Sequence, residues 1–167
     1  MEKILNELKF YKVSDDYINF LRKHDTGVQM NASNNKTRPY VGILLRINEH
    51  DYYAPLSSYK PKFQKKNATF AKIYNNSEQD PVSVIKFNCM IPILSSEFTY
   101  IDFALEEKQY SALLQAEYEY IKSNQDDFLK QAENLYTKVN KGNRFLVSRS
   151  CNFKLLENIY KDFEKTT

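Results

Sequence analysis

At 167 residues the chain is long enough to bury one sizeable core, and 42% hydrophobic with 27% charged residues excludes an intrinsically disordered polymer. A formal net charge of +3 is too small to announce a nucleic-acid partner by itself, and no apolar stretch approaches the length of a membrane span. Two cysteines, Cys89 and Cys151, and two histidines, His24 and His50, without metal-ligand spacing, argue against a His/Cys metal site.

The opening MEKILNELKFYK lacks the apolar centre of a signal peptide, so a cytoplasmic protein is expected. Short β-type runs follow at Phe10–Val13, Tyr40–Ile47, Tyr52–Leu56, Thr69–Tyr74, Val82–Phe87 and Glu97–Ile101. One helix interrupts them: Ser14 can cap it, and Tyr17, Phe20, Leu21 and His24 repeat at helical spacing. After residue 102 the helical period takes over. Tyr110, Leu113, Leu114, Glu117/Tyr118 and Ile121 make one stripe; Phe128, Ala132, Leu135, Tyr136 and Val139 make a second that Gly142 can end; Leu156, Ile159, Tyr160 and Phe163 make a third. Strands first and helices later predict an α+β fold, a twisted antiparallel sheet of about six strands flanked by about four helices. Three glycines and five prolines leave no flexible linker, so residues 1–167 are expected to form a single domain.

The charge distribution says more than its sum. Residues 26–48, 55–77 and 134–156 contain no acid, and they carry Lys36, Arg38 and Arg46, then Lys60, Lys62, Lys65, Lys66 and Lys72, then Lys138, Lys141, Arg144, Arg149 and Lys154. If these segments converge they form a positive groove; if they do not, they are solvated loops. The thirteen tyrosines suit either a core or a base-stacking surface. Paired carboxylates at Asp15-Asp16, Glu106-Glu107 and Asp126-Asp127 sit where helix starts are predicted and complement the helix dipole there. Gly-rich phosphate loops and HExxH, CxxC and GxSxG signatures are absent. The segment that stands out is Tyr53-Ala54-Pro55-Leu56-Ser57-Ser58-Tyr59-Lys60-Pro61-Lys62, where a strand ends in two hydroxyls followed by two lysines about a stiffening proline.

Together with other short blocks this segment resembles the ToxN/AbiQ family of type III toxin–antitoxin toxins. The blocks occur in order: Lys9-Phe10-Tyr11 with Ser14 and Tyr17-Ile18; Arg38-Pro39-Tyr40-Val41-Gly42-Ile43; Tyr53 to Ser58 followed by Lys60; Phe87-Asn88-Cys89-Met90-Ile91-Pro92-Ile93; and Cys151-Asn152-Phe153 through Leu155-Leu156-Glu157 to Tyr160, Asp162 and Phe163. Tyr59 stands where the family often has Pro, and Phe63 where a His is common, which puts any histidine proton transfer in that loop in doubt. The resemblance implies a MazF/Kid-like fold and metal-independent, sequence-preferring cleavage of single-stranded RNA. The products would be 2′,3′-cyclic phosphate and 5′-hydroxyl ends. It further implies no cofactor and a small repetitive pseudoknot RNA antitoxin that the toxin processes and that inhibits it. Toxin and RNA would assemble into heteromeric rings, in a system of the type III toxin–antitoxin and phage abortive-infection kind whose role, phage defence or plasmid maintenance, the sequence leaves open.

In that chemistry the RNA's own 2′-OH attacks phosphorus, and the protein supplies in-line positioning and charge. Ser58 is the expected catalytic hydroxyl and Ser57 the second; Lys60 and Arg38 are expected to offset phosphoryl charge. Tyr11 and Tyr17 are candidates to stack on RNA, with core packing as the alternative. Lys36, Lys62, Lys65 and Lys66 are expected to hold the RNA backbone. Sequence alone leaves open a non-catalytic RNA-binding module or a Tyr-rich protein-docking domain.

Overall fold

The computed structural model describes residues 8–31, 38–75 and 80–166. Strand β1 (Lys9–Val13) leads into helix α1 (Asp15–His24), and Ser14 caps that helix by accepting a hydrogen bond from the Tyr17 N–H at 3.3 Å. Strands β2 (Tyr40–Ile47) and β3 (His50–Ser58) form a hairpin whose tight turn takes Asn48 and Glu49 to positive φ. Strands β4 (Phe70–Tyr74), β5 (Pro81–Lys86), β6 (Ile91–Pro92) and β7 (Phe98–Tyr100) follow.

All pairings are antiparallel, in the order β4-β5-β3-β2-β1-β7, with β6 beside β3. Six of the seven strands fall where the alternation placed them. The seventh, Ile91–Pro92, is two residues long and too short to show a period.

The helical half contains α2 (Lys108–Ser123), α3 (Gln125–Asn140), α4 (Arg144–Val147), α5 (Phe153–Ile159) and α6 (Asp162–Thr166). With α1 these make six helices among the described residues against about four expected, because the last stripe breaks at Tyr160 and short α4 has no stripe of its own. Glu107 caps α2, Asp126 and Asp127 lie in the first turn of α3, and Gly142 at φ 89° follows its end. Helix α2 packs on β4, α3 on β2, and α5 on β6 and α1. One core joins sheet and helices, with Tyr17, Tyr40, Tyr52, Phe10, Phe87 and Phe153 among its largest fully buried side chains. Within it Gly42 leaves no room for a side chain, since a Cβ there would come within 2.1 Å of the buried Tyr53 ring. Among the described residues no helix is long and apolar enough to cross a membrane.

Candidate active site

Arg38 enters β2 from the acid-free segment and turns its guanidinium onto the last residues of β3. Its Nη1 donates to Ser57 Oγ at 2.7 Å and to Leu56 O at 3.0 Å, and its Nε donates to Met30 O at 3.0 Å. Among the described residues the N–H groups on Nη2 make no hydrogen bond. Burial lowers the Arg38 pKa, with Tyr40 and Cys89 acting the other way, but a guanidinium stays cationic over any working pH. A charge fixed by three hydrogen bonds pays little ordering entropy when it binds an anion.

Beyond Ser57 the strand ends at exposed Ser58, and Lys60 precedes a 3-10 turn over Pro61–Phe63. Phe63 anchors that turn through Phe70 and Val84, which form a small core of their own with Tyr59 against it. Neither Ser58 Oγ nor Lys60 Nζ makes a hydrogen bond or ion pair among the described residues, so both are available to a ligand. Lys62 lies 5.2 Å from the Phe63 ring centroid, and Lys65 and Lys66 are exposed just beyond it. Arg38 and Ser57 are thus in direct contact, whereas Lys62, Lys65 and Lys66 stand exposed in the segment that follows β3. Lys36 lies outside the described residues.

Two of the tyrosine expectations separate. Tyr17 is 0% exposed and its hydroxyl donates to Pro92 O at 2.6 Å, so it is a core residue with no ring face for a base; the RNA-binding expectation is corrected in favour of packing. Helical spacing cannot make that distinction, because the apolar stripe that faces the core and the one that faces a ligand look alike. Tyr11 is half-buried in an aromatic cluster with Tyr53, Phe98 and Tyr100. The ladder puts Tyr100, Tyr11, Tyr40 and Pro55 in one cross-strand row, on the side of the sheet that carries Ser57 two residues further along β3.

Sequence reasoning missed Lys86. It ends β5 on the same side as Ser57, donates to Gln29 Oε1 at 2.8 Å, and with Arg38 faces the Cys89 thiol. Cys151, then Lys86 and Arg38, hold Cys89 below the usual thiol range against the opposing effect of burial. The available signal was positional: Lys86 is the polar residue closing a strand that runs beside Leu56–Ser58. The two histidines stand apart: His50 bonds Tyr160 OH at the far end of β3, and His24 packs on Phe20.

A family model described as toxin ToxN of type III toxin–antitoxin systems matches residues 9–161. The chain belongs to the ToxN family. Among ToxN relatives, Endoribonuclease ToxN of Bacillus thuringiensis subsp. kurstaki is 32% identical over 94% of this chain and 84% of its own length. Endoribonuclease AbiQ of Lactococcus lactis subsp. lactis is 29% identical over 90% and 86%. A solved structure from a bacterial type III system, described for selective toxin inhibition by a non-coding RNA pseudoknot, aligns with TM-score 0.86 at 30% identity, covering 95% of this chain and 99% of that one. AbiQ, described as a lactococcal anti-phage endoribonuclease, aligns with TM-score 0.86 at 27% identity over 96% and 99%.

Proposed function

We propose that this ToxN-family chain is a metal-independent endoribonuclease toxin that cleaves single-stranded RNA by transesterification, leaving 2′,3′-cyclic phosphate and 5′-hydroxyl ends. A small repetitive RNA folded as a pseudoknot is its processed product and its antitoxin, the two assembling as a heteromeric ring in the cytoplasm, and the system serves phage abortive infection. The observation that carries this function is the Arg38 guanidinium, held against Ser57 Oγ and Leu56 O beside a strand end whose Ser58 and Lys60 are free to meet substrate. The names borne by the relatives supply the reaction class.

Each residue has a separate task. Arg38 grips a phosphoryl oxygen through Nη2, and Lys60 adds a mobile point charge as the phosphorane forms. Ser58 bonds the attacking 2′-OH or the phosphate, and Ser57 fixes the Arg38 fork. Lys62, Lys65 and Lys66 hold the backbone of the RNA irrespective of its sequence, and Tyr11 is placed to stack on a base. The nucleophile comes from the RNA itself, so no activated water is required.

Incubation of wild type and Ser58→Ala with a mixed single-stranded RNA pool in EDTA, followed by end mapping, tests the proposal. Cuts with cyclic-phosphate and 5′-hydroxyl ends by wild type alone are expected. Tight binding without cutting by either protein would overturn it in favour of a non-catalytic RNA-binding module.

A further inference from the structure

Arg38, just ahead of β2, and Lys86, at the end of β5, are held by the same short stretch of chain. Arg38 Nε donates to Met30 O at 3.0 Å and Lys86 Nζ donates to Gln29 Oε1 at 2.8 Å, so two adjacent residues take one cation each. The β3–β5 ladder brings the pair together a second time. Arg38 Nη1 donates to Leu56 O at 3.0 Å, and Leu56 lies directly opposite Ile85, the residue before Lys86. Ser57, which also accepts from Arg38, lies opposite Val84, so Lys86 two residues on is turned to the same side of the sheet. The Cys89 thiol, 7% exposed, is a third shared neighbour: after Cys151, Lys86 and then Arg38 hold it below the usual thiol range.

The oxygens that hold the two cations are all neutral. Met30 O, Leu56 O, Ser57 Oγ and Gln29 Oε1 accept from them, and no Asp or Glu is ion-paired to either among the described residues. The nearby acids are engaged elsewhere: Asp25 accepts from the N–H groups of Gly27 and Asn152, and Asp15 from Asn31 Nδ2. Both cations are half-buried. Two positive charges drawn together out of water without a carboxylate between them are costly, and an anion arriving from outside offsets that cost. Donors remain for it. Gln29 and the Cys89 thiol leave the ammonium at least one of its three N–H groups, and Arg38 has those on Nη2.

We propose that Lys86 is a further substrate-binding residue of the cleavage site, completing with Arg38 a two-cation cradle for the scissile phosphate of the RNA. The proposal rests on the nuclease function in which Arg38 grips that phosphate. As the 2′-OH loses its proton and its oxygen bonds to phosphorus, the singly charged diester becomes a doubly charged phosphorane. The bond from phosphorus to the 5′ oxygen then breaks as that oxygen takes up a proton. Lys86 moves neither proton. A second cation fixed beside Arg38 acts more strongly on the phosphorane than on the bound diester, so it works on the rate more than on affinity.

The test is single-turnover cleavage of single-stranded RNA by wild type, Lys86→Met, Lys86→Gln and Lys86→Arg, with affinity for an uncuttable 2′-O-methyl strand measured across a range of salt. Lys86→Met keeps the apolar stem, and Lys86→Gln keeps a donor for Gln29 should the Met variant fold poorly. Either should lower the rate about 10–100-fold and cut the slope of log affinity against log salt by about 0.7, one phosphate contact on a single strand. Lys86→Arg should keep the slope and most of the rate. A wild-type rate in both neutral variants would overturn the proposal. So would a lost rate with the salt slope intact, which is what a purely structural lysine would give. Wild type that binds but cuts nothing would instead sink the nuclease function, whereas cutting by wild type with undiminished Lys86→Met sinks the cradle alone.

Discussion

The two ends of β3 are built on opposite terms. At its start, Tyr52 and Tyr136 both donate to Glu157 Oε2, at 2.5 and 2.6 Å, Lys154 lies 3.7 Å from the other oxygen, and His50 bonds Tyr160 OH at 2.8 Å. The Tyr52 ring packs edge-on to Tyr136 and Phe153, and burial, then the bond to Glu157, push its phenol far above any pH at which it would titrate. At its finish, the other end of the nine-residue strand, the side chains of Ser58 and Lys60 and the Nη2 of Arg38 have no partner among the described residues. Polar side chains that satisfy each other make structure; polar side chains aimed but unsatisfied make a site.

That contrast can be broken by experiment. Ser58→Ala should lower the cleavage rate about 10²–10³-fold, the size of losing one transition-state hydrogen-bond partner, and shift stability by less than about 0.5 kcal/mol as an exposed position. A rate within twofold of wild type would move the centre away from the strand end. The converse substitution, Glu157→Ala, strands two buried phenols and should cost about 3 kcal/mol in urea unfolding, with the rate per folded molecule unchanged; a large loss of rate in folded protein would couple the two ends.

Glu117 sharpens the comparison from the side of the core, as a buried carboxyl with no Lys or Arg ion-paired to it among the described residues. Burial pushes its carboxyl up to about 7, above the ordinary carboxylate range, so the folded state holds a proton that the unfolded chain has lost and stability falls as pH rises toward 7. Wild type should therefore lose up to about 3 kcal/mol between about pH 5 and pH 8, and Glu117→Gln should remove that slope and be the more stable protein at pH 8. Equal wild-type stability at the two pH values by urea denaturation would contradict it. Smallest of these effects, Gly42→Ala forces a methyl against Tyr53 and should cost about 2 kcal/mol by overpacking, checked by thermal melting.

Much of this architecture was written in short-range patterns. Ser14 as a cap, the β2–β3 hairpin, the stripes of α2 and α3 and the stop at Gly142 all follow from spacing and turn chemistry, which act over a few residues. Of the proposed site, Ser57, Ser58 and Lys60 stand out in the sequence as strand-end hydroxyls and lysines about a proline, whereas the contact of Arg38 with Ser57 carries no local mark. Lys86 and Glu117 did not stand out. Lys86 reaches its partners through the order in which the strands are laid side by side, and Glu117 hid as one polar residue inside an apolar stripe. Tyr17 failed in the other direction: a buried tyrosine whose hydroxyl bonds Pro92 O, 75 residues away, carries no local mark of that bond.

The Tyr52–Glu157 bond spans 105 residues, and Phe163 closes on Tyr17 and Phe20 later still. During synthesis, then, the strand that bears Ser57 and Ser58 emerges long before the residues that anchor its other end. A growing chain carries these groups on a strand that still lacks its final supports, while surrounded by messenger RNA, and the scaffold that aims them is complete only once α5 and α6 have docked.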